Sequence, residues 1–255
     1  MHEISLAAEP LFYIGTFAFT NAYLLSLIAI VLLTVIGLVF KSKLKIAGGM
    51  FQNMVEYVIE ELLELMESVL GSRDAAEKYL PLIATIFLFI ITCNWLGLFP
   101  GVGSILLTHG ESTVPLLRSP GSDLNFTLAL AISSVVGANL LGVLAIGIGP
   151  QLKKYFNFSN PIQFFIGILE LVSEGAKMVS FSFRLFGNVF AGEILLMIVG
   201  YLVAYVVPLP FMFLELFVGF IQAFVFSMLT LVFLGLHTTM HGDHEEHHEL
   251  VKVQP

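Results

Sequence analysis

Charged residues are scarce in this sequence. They make up 12% of its 255 residues, about half the share that is usual in soluble domains. Hydrophobic residues make up 57%, and the mean hydropathy is +0.93. This composition excludes an ordinary soluble globular domain. Basic residues are nowhere dense enough for a nucleic-acid interface, so nucleic acid is not an expected partner. The shortage of charge indicates that much of the chain is solvated by lipid.

Cysteine is almost absent, and the N-terminus lacks the features of a cleaved leader. The one cysteine, Cys93, excludes an internal disulfide. No positive region precedes the first apolar run, so we expect that run to remain as a membrane anchor. The histidines near the C-terminus could share a metal ion, but a charged tail without metal is the favoured interpretation. These histidines are His237, His241, His244, His247 and His248. The sequence thus predicts no metal site and no cofactor.

Long runs without charge are abundant. They cover 22–40, 79–108, 124–152, 155–169, 194–214 and 216–236. One bilayer span needs about 20 apolar residues, whereas a transmembrane barrel would show alternating segments of about ten. The continuous runs therefore predict an all-α, polytopic integral membrane protein. It would have a single membrane domain with about five membrane-embedded helices.

The predicted elements follow from these runs and their breakers. Spans are expected at 22–40, 79–98 and 125–148. One or two long helices follow at 162–206, then a last helix at 211–237 and a tail at 238–255. A polar loop rich in Gly, Ser and Pro is predicted between the span that ends at 98 and Asn125.

The segment 48–70 differs from the spans. Its apolar residues recur at helical spacing, and Glu56, Glu60, Glu61, Glu64 and Glu67 fill the gaps. This pattern is typical of an amphipathic interfacial helix. Because anionic lipid would repel the acidic face, we expect that face to meet protein or water.

Positive charges predict the orientation. With the N-terminus outside, the inner side holds eight cations and the outer loops hold only Arg118. The eight are Lys41, Lys43, Lys45, Arg73, Lys78, Lys153, Lys154 and Lys252. Since Lys and Arg concentrate on the cytoplasmic side, we expect a cytoplasmic C-terminus.

The region 161–193 is unusual because it places charges within an apolar helix. A charge at the bilayer centre costs about 2.5–3.5 kcal/mol on insertion scales, and such residues commonly line a pathway. At about 100° per residue, one stripe of this helix carries Glu170, Glu174, Lys177, Phe181, Arg184 and Asn188. Glu193 lies about 180° away from Arg184 and roughly 13 Å further along the helix. This arrangement suits two offset aqueous paths separated by a cation.

The residue types support that interpretation. An arginine keeps its proton at biological pH, so Arg184 can attract a passing carboxylate but cannot relay the proton. Carboxylates such as Glu193 and Glu215 can relay protons. On the last helix, Glu215 and Gln222 share a face, and Gly219 between them leaves room for a close neighbour.

Three motifs carry a resemblance to a known family. Ser182 to Asn188 reads SFRLFGN and is followed by AGE at 191–193, the last helix contains QAFVF from Gln222, and Asp123 opens DLNFT. Together they resemble subunit a of F-type ATP synthases over most of the chain beyond residue 80. The resemblance implies a proton-translocating stator without a catalytic site of its own. Its expected partners are the rotor ring of c subunits, the peripheral-stalk subunit b and other Fo and F1 subunits.

The resemblance also assigns residues. It implies that Arg184 is the essential arginine facing the rotor. It gives Asn188, Glu193, Glu215 and Gln222 to an outer half-channel, and Glu170 and Ser173 to an inner one. It implies strong tilts for the last two helices, and Gly187 and Glu193 favour a bacterial plasma membrane.

Other interpretations stay open for several of these residues. Asp123 could feed the outer path or cap the next helix. Glu174 extends the inner stripe and is assigned to the inner path beside Glu170 and Ser173, although the family offers no role for it. Lys177 could pair with Glu174 or Glu170. Glu170 and Glu174 could also be interfacial charges. The alternative functions are a stand-alone ion channel or secondary cation transporter and an inactive assembly factor, and the choice of proton or sodium is open.

Overall fold

The structure, a computed structural model, describes residues 8–45, 48–103, 105–109, 112–149, 155, 161–203 and 206–238. Six helices have described bounds: α1 (Asn21–Lys43), α2 (Met50–Leu70), α3 (Arg73–Gly97), α4 (Leu124–Ile146), α5 (Pro161–Leu202) and α6 (Pro208–Thr238). The short elements are β1 (Pro10–Ile14), β2 (Phe17–Thr20), β3 (Pro100–Gly103), β4 (Leu106–His109), β5 (Ser112–Pro115) and a 3-10 turn (Pro120–Ser122).

Five of these helices are long and apolar enough to cross a membrane, namely α1, α3, α4, α5 and α6. With the amphipathic α2 they confirm the predicted all-α, polytopic membrane fold. The segment expected at 162–206 as one or two helices is a single helix of 42 residues that ends at Leu202. The predicted tail lies outside the described residues.

The first helix packs only at its N-terminal end. Thr20 caps it by accepting a hydrogen bond from the Tyr23 amide at 3.2 Å, and the first turns bury Ala22, Leu25 and Ala29. Most of its remaining apolar side chains, from Ile30 onwards, are exposed. Exposed aliphatic side chains over several turns are suited to lipid rather than water.

The amphipathic helix α2 packs on protein. It buries Leu63, Met66 and Leu70, which recur at the spacing of a single helix face, and Gly71 ends it in the left-handed conformation at φ 74°. Its acidic residues lie on the exposed side, where Arg73 pairs with Glu60 at 2.9 Å. This ion pair lowers the pKa of Glu60 from its ordinary value.

Helix α6 lies at the centre of the bundle, with contacts to α2, α3, α4 and α5. One buried cluster joins α2, α3, α4 and α6 and includes Met66, Ile83 and Leu231. A second joins α3, α4, α5 and α6 and includes Phe181 and Phe226. The two clusters set the positions of α5 and α6, the helices that carry the unusual charges.

Two antiparallel hairpins lie outside the predicted helices, and the second of them falls in the predicted polar loop before Asn125. Strand β1 pairs with β2, and β4 pairs with β5. The buried Asn21 side chain at the start of α1 donates to the Pro115 carbonyl at 3.1 Å and so joins the two regions.

Candidate functional site

Arg184 lies near the middle of α5 on its exposed side. Its guanidinium carbon lies 6.0 Å from the centre of the Phe181 ring. Within the part of the chain that the structure describes, the guanidinium makes no hydrogen bond and no ion pair. A cation in this position is available to a group from another chain.

Helices α5 and α6 are antiparallel neighbours with a constant register. Phe181 packs on Phe226 with ring centres 4.9 Å apart, and Gly192, eleven residues further along α5, contacts Glu215, eleven residues earlier on α6. Gln222 therefore lies level with the residue that follows Arg184. Gln222 is only 8% exposed, and its Nε2 is buried without a hydrogen-bond partner among the described residues.

Glu215 packs directly against the backbone of α5. A side-chain carbon at Gly192 would overlap the Glu215 carboxylate, so only a glycine admits this approach. Glu215 itself is half-buried. The glycine that precedes Glu193 therefore brings a second carboxylate to the same level of the bundle.

Glu193 points towards the turn before α4. Its carboxylate faces Ser122 and the Arg118 guanidinium, and Arg118 donates from Nε to Ser122 Oγ at 3.1 Å. The turn packs closely here, because a side-chain carbon at Gly121 would meet Val189 at 2.8 Å. At this end of the bundle, Glu193 of α5 thus lies near the Arg118 guanidinium, and Glu215 of α6 lies against the neighbouring Gly192.

Asp123 caps α4. It is 7% exposed, and its Oδ1 accepts from the Asn125 amide at 3.0 Å and from the Asn125 side chain at 3.3 Å. The capping role that the sequence left open is confirmed. A part for Asp123 in the outer path stays a prediction.

Polar residues also meet towards the other end of α5. Glu174 is 6% exposed and accepts from Lys177 Nζ at 2.8 Å and from Asn139 Nδ2 at 3.2 Å. Tyr155 donates to Asn139 Oδ1 at 2.8 Å. Burial, with the nearby carboxylates of Glu174 and Glu170, raises the pKa of Tyr155 to about 12. Glu170 and Ser173 are half-buried on the preceding turn.

A sequence profile of the family described as ATP synthase A chain matches residues 23–235, which is most of the chain. The chain belongs to the ATP synthase subunit a family. ATP synthase subunit a of Campylobacter fetus is 33% identical to it over 247 residues, which cover 96% of this chain and 100% of the relative. That of Gloeobacter violaceus is 36% identical over 217 residues, covering 84% and 83%. The family indicated by the arginine motif is confirmed.

Family membership defines the general role of the chain. Subunit a is an integral membrane subunit of ATP synthase and takes part in proton translocation through Fo, with other ATP synthase subunits as its partners. The two groups of acidic residues in this subunit a lie on opposite sides of Arg184 along α5. The structure does not bring them together.

Two residues near the site were missed by sequence reasoning. The sequence predicts Arg118 only as a charge of the outer loops. Its spacing of four residues from Ser122 was the available signal for their contact. Asn94 on α3 donates to the Gly219 carbonyl at 3.1 Å and is buried. Gly219 does leave room for a close neighbour, because a side-chain carbon there would lie 3.2 Å from Asn94.

The neighbouring Trp95 also binds α6, donating from Nε1 to the Leu216 carbonyl at 3.2 Å. These two bonds attach α3 to the turn of α6 that follows Glu215. An asparagine and a tryptophan side by side in an apolar run were the available sequence signal, since buried polar side chains are usually hydrogen-bonded.

The predicted tail histidines fall at the edge of the described residues or beyond it. His237 lies in α6, and His241, His244, His247 and His248 lie outside the described part. Among the described residues, no three metal-binding side chains cluster.

Proposed function

We propose that this subunit forms two offset half-channels that load and unload carboxylates of a rotor ring, with Arg184 separating them. The observation that carries the proposal is the exposed guanidinium of Arg184 in the middle of an apolar helix, which has no hydrogen-bond or ion-pair partner among the described residues. Such a charge is expensive at bilayer depth, so a partner is expected to meet it. A carboxylate from another chain would provide both the charge and the hydrogen bonds.

The outer half-channel would use Glu215 and Glu193 as proton-binding groups. Two facts support this assignment: both carboxylates lie at the level of Gly192, and Glu193 faces the outer turn at Ser122. Gln222 and Asn188 continue the polar route towards Arg184, and the buried Nε2 of Gln222 has a free donor for a water or a carboxylate. Asp123 borders the same end.

The inner half-channel would begin at Glu170 and Ser173. Both are half-buried on α5, about three to four turns before Arg184. A neutral rotor carboxyl would return here through lipid and release its proton. Because arginine does not give up its proton, protons could not pass directly between the two paths and would have to travel on the rotor.

Orientation and partners complete the proposal. We place the N-terminus outside and the C-terminus in the cytoplasm of a bacterial plasma membrane, following the distribution of lysines and arginines. The turn at Pro120–Ser122 and the Gly192 level then lie on the outer side together. The rotor c-ring would face the exposed side of α5, and subunit b of the peripheral stalk would be a further partner.

The Arg184→Lys variant tests the proposal. We expect loss of ATP synthesis by at least about 100-fold, the size of effect seen when a preorganised charged or polar donor is removed. Lysine offers a compact charge that can be deprotonated when buried, and it lacks the planar fork of arginine. The measurement is ATP synthesis driven by an imposed proton gradient in membrane vesicles that contain the whole enzyme.

The Arg73→Lys variant is the matched control. Arg73 is a half-buried arginine with carboxylate partners at the corner between α2 and α3, and exchanging it should leave synthesis near the wild-type rate. Normal coupled synthesis in Arg184→Lys would contradict the proposal.

A further inference from the structure

The sequence predicts Glu174 as part of the inner path, but its carboxylate is held in a buried ion pair on α5. Glu174 and Lys177 lie one turn apart, with the Lys177 Nζ 2.8 Å from Glu174 Oε1. Their side chains are 8% and 19% exposed. Asn139 on α4 donates to the other carboxylate oxygen at 3.2 Å. The pair therefore joins α5 to α4 in a region largely shielded from water.

Glu174 is poorly suited to carry protons. A relay carboxyl must be open to water or to another proton carrier, whereas both oxygens of Glu174 accept hydrogen bonds in a buried position and one donor is an ammonium group. The other titratable groups that face it among the described residues are Tyr155 and Glu170.

Lys177 is connected to Arg184 through aromatic rings. Its Nζ lies 4.6 Å from the centre of the Phe233 ring on α6, and Phe233 stacks on Phe181 with ring centres 5.5 Å apart. The Arg184 guanidinium lies near the Phe181 ring, at the other end of this pair of rings. The two cations of α5 are seven residues, or about 10 Å, apart along the helix. At this distance in a poorly polarisable medium, each would affect a carboxylate held by the other.

We propose that Glu174 is a counter-ion residue that neutralises Lys177, leaving Arg184 as the only cation of α5 without an acidic partner among the described residues. Glu174 thus affects the rotor carboxylate through Lys177, whose positive charge it compensates. A rotor carboxylate is then attracted to one place and is free to take up or release its proton at the inner path. This inference rests on the proposed function of Arg184.

Opposite shifts in pH dependence test the inference. Inside-out vesicles that contain the whole ATP synthase expose the inner side to the medium, and ATP-driven proton pumping is measured as the pH of that medium is raised. In Glu174→Gln the uncompensated lysine disfavours protonation of a rotor carboxylate, so pumping should fail at a pH about one unit lower. In Lys177→Gln the Glu174 carboxylate loses its lysine partner and its negative charge favours protonation of the rotor carboxylate, so pumping should persist to a pH about one unit higher.

Two further variants separate charge from packing. Lys177→Arg keeps the cation and should keep the wild-type profile. The combined Glu174→Gln and Lys177→Gln variant removes both charges and should return the profile to that of the wild type. If a single variant fails to assemble, as an unpaired buried charge can cause, restored pumping in the combined variant supports the inference. Failure of that variant to assemble or pump overturns it.

Shifts of both single variants in the same direction, or no shift in Glu174→Gln, would also overturn the inference. The proposed function fails on a different result, namely normal synthesis in Arg184→Lys. If Arg184→Lys abolishes synthesis while the two single variants shift together, the counter-ion role alone is wrong.

Discussion

At the residue scale, Gly192 decides how near the two outer carboxylates come. Glu215 occupies the space that a side chain at 192 would take, while Glu193 follows on the next position of α5. A missing side chain on one helix therefore sets the position of an acidic group on another. Sequence reasoning selected Glu193 and Glu215 individually, but the contact that relates them depends on how two helices pack.

The Gly192→Ala variant should slow proton transport by between about ten- and a hundredfold, because small displacements of a reacting group cost that much. The added methyl group would displace the Glu215 carboxylate. ATP-driven pumping and ATP synthesis in vesicles provide the measurement.

Gly200→Ala is the control on the same helix. In the described part of the chain, no atom of a neighbouring residue lies within 4 Å of a side-chain carbon at Gly200, and alanine is favoured over glycine in a helix interior. Equal transport rates in the two variants would show that the contact between Gly192 and Glu215 does not affect proton transport.

At the element scale, the polar stripe of α5 shows what helical periodicity can predict. The 100° rule correctly placed Glu174 within reach of Lys177, and that pair is present. It also places Glu174 and Arg184 at opposite edges of the stripe, about 80° apart. The structure buries the Glu174 edge against α4 and exposes the Arg184 edge. Which edge faces protein depends on the neighbouring helices, so the sequence of α5 alone could not distinguish a buried counter-ion from an exposed charge.

Short strands were missed for a related reason. Each strand of the two hairpins has only four or five residues, too few for an alternating pattern to stand out. Their stability depends on pairing and on the helix ends around them. The helices were easier to predict, because 20 apolar residues without a charge have few alternatives in a membrane.

Helix α6 is held to α3 at the level of the site, which gives a prediction for Asn94→Ala. The variant removes a buried bond to the Gly219 carbonyl, and we expect a loss of about 1–2 kcal/mol in stability. A decrease in proton transport should accompany it, since α6 carries Glu215 and Gln222. Thermal inactivation of the purified enzyme and pumping in vesicles measure the two effects.

Trp95→Phe serves for comparison. Its bond to the Leu216 carbonyl is exposed, so a smaller loss is expected. If Asn94→Ala matched the wild type in both measurements, the Asn94 hydrogen bond between α3 and α6 would be irrelevant to transport.

At the scale of the whole molecule, the proposal requires a second kind of chain. Arg184 cannot release a proton to a neighbouring group, and the two groups of acidic residues lie on opposite sides of it along α5. The isolated subunit in sealed liposomes should therefore conduct no more protons than liposomes without protein, whereas a stand-alone channel or transporter would conduct. Adding the rotor ring should establish conduction, and the ring alone is the control. Proton flux through the subunit alone would favour the alternative function.

The length of α5 has a consequence for the timing of events. A helix of 42 residues is roughly 63 Å long, about twice the thickness of the hydrocarbon layer, and it is apolar for most of that length. Because an upright helix of this length would exceed the hydrocarbon layer, we expect α5 to be tilted in the bilayer. A rotor ring turning beside a tilted α5, as proposed here, would pass Glu170, Arg184 and Glu193 one after another. The order of these residues along the helix would then set the order in which a rotor carboxylate meets them during the transport cycle.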